Sequence, residues 1–150
     1  MSMDEIDEKL LGLLKKDAKT KYTDLAEILN LSAPSVHARV KKLEQSGVIA
    51  GYTIDIDASL LALKLCAFIR VTIEGIPATA LAESLASFPE VEEFYVVAGE
   101  ECVLLKVRTT DTGALSLLLD RIRETKGVKK TITSVVLTTP FDRGITPRVN

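Results

Sequence analysis

The sequence predicts an α+β chain. A three-helix, winged-type helix-turn-helix unit leads through an extended strand into a β-α-β-β-α-β unit with an antiparallel sheet. Three observations carry this expectation. Residues 2–47 hold apolar residues at helical spacing in three runs, each separated by capping or turn residues. Residues 48–56 switch to a loose alternation of apolar with small or acidic residues, the pattern of a strand. Beyond residue 64, four β-branched runs bracket two helical runs in a pattern that repeats once.

The first helix is expected over Ser2–Asp17. Ile6, Leu10, Leu13 and Leu14 form its buried stripe, and Ser2 with Glu5 has the spacing of a capping box. Lys19 and Lys21 follow in a loop, as phosphate contacts or as ordinary solvated residues. In the next helix Leu25, Ile28 and Leu29 recur at helical spacing, with Thr23 as the cap. Asn30, Leu31 and Ser32 break that run. Ser32 then caps a third helix, Pro34 sits in its first turn where a missing N–H costs nothing, and Gly47 stops it. Two capped helices joined by so short a turn form a helix-turn-helix.

The third helix carries the functional reading. Val36, Val40 and Leu43 make one apolar stripe. Pro34, Ser35, Ala38, Lys41, Lys42 and Gln45 share the opposite side, with His37 and Arg39 on its flanks. Short residues early in a helix allow close approach to base edges, and long cations later reach phosphates. The residues expected at DNA are therefore Ser32, Pro34, Ser35, His37, Ala38, Arg39, Lys41 and Lys42. A solvated face on an ordinary helical hairpin is the plain alternative.

The linker Asp57–Leu63 reads as a turn with a short helical or irregular stretch, which sets domains of 1–50, 51–63 and 64–150. Strands are expected at Leu65–Glu74, Val91–Ala98, Cys102–Arg108 and Val128–Thr138. Pro77 starts one helix, with Ala78, Leu81, Ala82 and Leu85 on one face, and Phe88 and Pro89 close it. Asp111 starts the other, with Leu115, Leu118, Leu119 and Ile122 inward and Gly127 as its stop. The segments around Glu90-Val91 and Gly127-Val128 occupy corresponding places in the two halves. This order is the ferredoxin-like split βαβ arrangement, with both helices on one face of the sheet. On the second strand, Val91 and Tyr95 are expected on one side and Phe94 and Val96 on the other. Apolar residues on both sides of a sheet with one helical layer point to self-association through the other.

With 150 residues, 47% of them hydrophobic and 27% charged, the composition is that of a globular protein. No apolar run approaches the ~20 residues of a membrane span, and the N-terminus begins with an acidic amphipathic segment, so cytoplasmic residence is expected. A net charge of −2 argues against a DNA-binding domain acting singly. Several copies acting together would compensate for it. Cys66 and Cys102 have neither disulfide nor metal spacing. No nucleophile–base pair, ligand cluster or phosphate loop is present in the sequence, so neither an enzyme nor a cofactor is expected.

The stretches IDEKLLGLLKKDAK, LAEILNLSAPSVHARVKKLEQSGVIAGYTIDID, EEFYVVAGEECVLLKV and GVKKTITSVVL, in that order, resemble the Lrp/AsnC family of transcription regulators, also called feast/famine regulatory proteins. The resemblance runs from about Ile6 to Leu137 and is most specific over Arg39–Tyr52. It implies a cytoplasmic DNA-binding regulator that senses an amino acid or related metabolite. It also implies dimers, built through the sheet and the exit strand, that assemble further, often to octamers. Effector in the family binds between subunits, which here implies Val97, Ala98, Gly99, Glu100, Glu101 and Cys102 at the hairpin, with Thr133 and Ser134 on the last strand. The sequence departs from the family at Cys102, where an acidic residue is usual, and at Ala58 and Ala62, often proline and glycine. The rival expectation is a small-molecule-binding assembly protein that does not touch DNA.

Overall fold

Asp4 opens the first helix, α1 (Glu5–Lys16). Its carboxylate accepts the Asp7 N–H at 2.8 Å, and the Asp7 carboxylate accepts the Asp4 N–H at 3.3 Å. This reciprocal box stands two residues after the one expected at Ser2 and Glu5. Both pairs have the right spacing, but a carboxylate is the stronger acceptor for backbone N–H. The computed structural model describes residues 3–58, 60–99, 102–142 and 144, so Ser2 lies outside the described residues.

Helix α2 (Tyr22–Leu29) begins one residue before the expected cap. Lys21 occupies the capping position without a side-chain hydrogen bond, and the Thr23 hydroxyl donates to Asp24 instead. Leu25 and Ala26 are buried, whereas Ile28 is 62% exposed, contrary to the stripe read from the sequence. A two-turn helix buries only a narrow arc, and here that arc runs through Ala26. The helix ends at Asn30, whose φ of 55° lies in the left-handed region that asparagine tolerates. Helix α3 (Ala33–Gln45) starts at Ser32 as anticipated and stops before Gly47, at φ 74°. Leu10, Leu14, Leu25, Ala26, Val36, Val40 and Leu43 form the three-helix core, with Ile49 packed at its edge.

Residues 48–56 contain no strand ladder within the chain. Tyr52, Ile54 and Ile56 are each more than half exposed there. A strand needs a partner for its backbone groups, and among the described residues this segment pairs with none. The following turn is closed by the Leu63 N–H donating to the Ala58 carbonyl at 2.9 Å, and Ala62 stands at φ 61°. The chain forms two compact units, one of residues up to Asp55 with Phe141 and Asp142, the other of Ile56–Pro140.

The second unit runs β1 (Leu65–Ile73), α4 (Ala78–Leu85), β2 (Val91–Val96), β3 (Val103–Thr109), α5 (Thr112–Glu124) and β4 (Val128–Val135). All pairings are antiparallel, in the spatial order β2-β3-β1-β4 that a split βαβ arrangement requires. Ala67, Ile69, Val71, Val103, Leu105 and Val107 face the helices and meet Leu81, Leu85, Leu115, Leu118 and Ile122. Gly127, at φ 87°, is required where α5 turns into β4, since a Cβ there would lie 2.3 Å from Ile76.

One expectation for β2 is corrected. The register slips between Val91 and Glu93, so Val91 pairs with Val107 and Glu93 with Lys106. The bulge brings Val91 to the helix side, where both it and Phe94 pack on the core. Strict alternation had placed Val91 with Tyr95.

Candidate nucleic-acid interface and effector site

The face of α3 opposite its core stripe is built by its caps. The Ser32 hydroxyl accepts the Ser35 N–H at 3.3 Å and donates to the Ser35 hydroxyl at 2.9 Å, which fixes the start of the helix. Below that cap, Val36, Val40 and Leu43 are at most 1% exposed. Ser32, Pro34, Ser35, His37, Ala38, Lys41 and Lys42 are all exposed, so seven of the eight residues expected at DNA form one continuous surface. Among the described residues no ion pair occupies Lys41 or Lys42. His37 lies beside the ring of Tyr22, with centroids 5.7 Å apart. Such a surface presents short side chains to a groove and free cations to phosphates.

Arg39 stands apart from that group. Its guanidinium donates to Asp7 at 2.6 Å and to Asp4 at 2.8 Å, both on the N-terminal end of α1. These carboxylates hold the guanidinium pKa above its ordinary value, Asp7 contributing most. Asp4 is held below the usual carboxylate range by the Asp7 N–H first and Arg39 second. The sequence showed a cation on the flank of α3 but not the acids facing it from thirty residues upstream.

The effector residues expected at the hairpin fall in two groups. Val97, Ala98 and Gly99 are exposed at its tip, closed by the Val97 N–H donating to the Cys102 carbonyl at 3.0 Å. Glu100 and Glu101 lie outside the described residues. Cys102 is half-buried against the helix–sheet core, a packed thiol at the foot of the loop. Thr133 pairs with Ile69 and Ser134 with Phe68, so successive side chains point to opposite faces of the sheet. Ser134 is on the open face and Thr133 on the helix side, and one pocket on one face cannot take both. Strand β1 also separates β3 from β4, and Ser134 is level with Lys106, so the hairpin and Ser134 lie about 10 Å apart across the sheet and about 13 Å along it within one subunit.

Sequence reasoning also missed a charge cluster on the open face. Because of the β2 bulge, consecutive carboxylates reach the cations of β3. Glu92 meets Arg108 at 2.5 Å and Lys106 at 3.8 Å, and Glu93 meets Lys106 at 2.9 Å. The Tyr95 hydroxyl donates to Glu93, and this bond with the Lys106 ammonium holds the Glu93 carboxyl below its usual range. Burial pushes the pKa of the neighbouring Cys66 thiol up. The alternation Leu104, Lys106, Arg108 was the available signal for the cation row, and the bulge hid its partner.

A capped helix with a free polar face, joined to a split βαβ sheet, marks a DNA-binding transcription regulator with a separate ligand-binding domain. Residues 3–50 match the winged helix-turn-helix DNA-binding family model, and residues 66–146 match the Lrp/AsnC ligand binding domain. The chain is 35% identical over 137 residues to the HTH-type transcriptional regulator FL11 of Pyrococcus horikoshii, covering 91% of each. It is 33% identical over 148 residues to the regulatory protein AsnC of Haemophilus influenzae, covering 97% of this chain and 99% of that one. Its fold superposes on the feast or famine regulatory protein of M. tuberculosis complexed with L-methionine. That match has a TM-score of 0.91 and 34% identity, and covers 98% of this chain and all of the other. The chain belongs to the Lrp/AsnC family. These relatives are transcription regulators, not enzymes.

Proposed function

We propose that the chain acts in the cytoplasm as a dimer, assembling further toward an octamer. In this reading the dimer sets two α3 helices into successive major grooves of double-stranded DNA, about one helical turn or a multiple apart. Ser35 and Ala38 approach base edges, Ser32 and Pro34 form the leading end, and His37, Lys41 and Lys42 hold phosphates. The observation that carries the proposal is the unbroken exposed face of α3 above a fully buried stripe. An amino acid bound between subunits tunes this assembly, with no other cofactor. The hairpin Val97–Cys102, including Glu100 and Glu101, contributes one side, and Thr133 or Ser134 of a second copy contributes the other. Two features support an intersubunit pocket: the separation of hairpin and β4 within one subunit, and the L-methionine complex of the structural relative.

The test is DNA affinity as a function of salt for the wild type and for Lys41→Gln/Lys42→Gln. Losing two phosphate contacts in each subunit, four per bound dimer, reduces the slope of log affinity against log salt by about 3.6 and weakens binding to every sequence. An assembly protein that does not touch DNA would show no change. In the same assay L-methionine should alter DNA affinity, and DNA should alter methionine affinity by the same factor.

A further inference from the structure

Arg39 lies on the recognition helix, yet its charge is spent inside the domain. Counting 100° per residue, it sits roughly 70° round from the centre of the buried stripe, on the side that meets α1. Its two partners are the two members of the α1 capping box, so one guanidinium grips the start of α1 and the middle of α3 together. Asp7 is only 2% exposed. Were Arg39 to swing out to a phosphate or a base, it would strand a buried carboxylate without its counter-ion, which costs more than one exposed phosphate contact returns.

We propose that Arg39 is a positioning residue for DNA recognition. It stays on Asp4 and Asp7 in the DNA complex and sets the angle at which α3 enters the groove, so it governs specificity without touching DNA. This inference rests on α3 being the recognition helix. Ser35 and Ala38 are too short to follow a helix that has tilted, so base readout depends on the helix axis, whereas Lys41 and Lys42 can follow by changing rotamer.

The experiment uses the full-length protein, a duplex selected by it from a random pool, and a mixed-sequence duplex. Affinities for both are measured against salt for Arg39→Gln, Arg39→Lys, Asp7→Asn and Lys41→Gln/Lys42→Gln. Arg39→Gln should lose roughly tenfold or more in the ratio of selected to mixed affinity, with an unchanged salt slope. Asp7→Asn should reproduce that loss although it removes a negative charge. Arg39→Lys should recover only part of it, since a single ammonium cannot fork between two carboxylates. A direct DNA contact gives the opposite pattern: the slope falls by about 1.8 per dimer in Arg39→Gln, one contact in each subunit, and Asp7→Asn binds as well as wild type or better. That pattern overturns the proposal. So does loss of the folded helical spectrum in Arg39→Gln or Asp7→Asn, or an equal fall in both affinities, because the pair would then serve stability alone. If the double lysine variant keeps its full affinity and slope, the failure belongs to the assignment of α3 itself.

Discussion

Ala62 stands at φ 61° in the linker turn, where a Cβ is crowded by the neighbouring carbonyl. Glycine adopts that conformation freely. Ala62→Gly should therefore stabilise the protein by roughly 0.5–1 kcal/mol, seen as a higher urea midpoint at unchanged slope. A lower midpoint would mean that the strain is absent. Tyr52 offers a second residue-scale test. Although Tyr52 is half exposed, partial desolvation of its hydroxyl, the hydrogen bond to Glu44 at 2.8 Å and the charge of Glu44 push its pKa up to about 12. Between the ordinary value of 10 and about 12 the unfolded chain has released this proton while the folded chain keeps it. Its contribution is thus complete below pH 10 and is lost as pH rises through 12. Stability of Tyr52→Phe should fall less steeply over that window than wild type, and ultraviolet titration should lose its phase near pH 12. Parallel curves would contradict the Glu44 contact.

Elements carry their own punctuation, and that is what made most of them legible. Ser32, Gly47, Pro77 and Asp111 start or stop helices at or next to the positions read from the sequence, because caps act over three or four residues. The Asp111 carboxylate accepts the Ala114 N–H at 2.9 Å, and this bond holds its pKa below the usual range. The resulting stability is present above the ordinary value of 3.8 and fades as pH falls through the folded one. Asp111→Ala should lower the thermal midpoint at neutral pH, Asp111→Asn should do so less, and the wild type should lose its advantage over both in acid. A gap that persists at low pH would assign the effect to something other than the charged cap. What the sequence concealed depends on partners rather than on period. The slip at Glu92 needs β3 to define it, the grip of Arg39 needs α1, and which face Thr133 and Ser134 each take appears once β4 is registered on β1. For the same reason residues 48–56 read as a strand and find no ladder among the described residues.

At the scale of the whole molecule, the question is how a chain of net charge −2 holds a polyanion. Each subunit offers few unpaired cations on α3, so useful affinity requires copies joined together. The means we propose is the face of the sheet away from α4 and α5. Phe68, Leu104 and Ile132 are half-buried there, and Tyr95 is exposed beside them. The ion pairs of Glu92 and Glu93 with Arg108 and Lys106 neutralise much of the charge that would resist burial. Leu104 pairs with Arg70 on one side and Tyr95 on the other. In a lone subunit Leu104→Arg should fold normally, because the longer side chain can reach water. Between two subunits packed by this face it would bury an uncompensated charge from each. The expected outcome is a fall in sedimentation mass toward the 16.3 kDa of one chain, with helical content retained. DNA affinity should fall with it by roughly 10²–10⁴, the gain that linkage of two sites provides. Ser116→Arg, on the outer side of α5, adds the same charge and should change neither quantity. If Leu104→Arg keeps both its mass and its DNA affinity, the copies meet elsewhere. If the mass falls and affinity holds, a single α3 is sufficient and the charge argument is wrong.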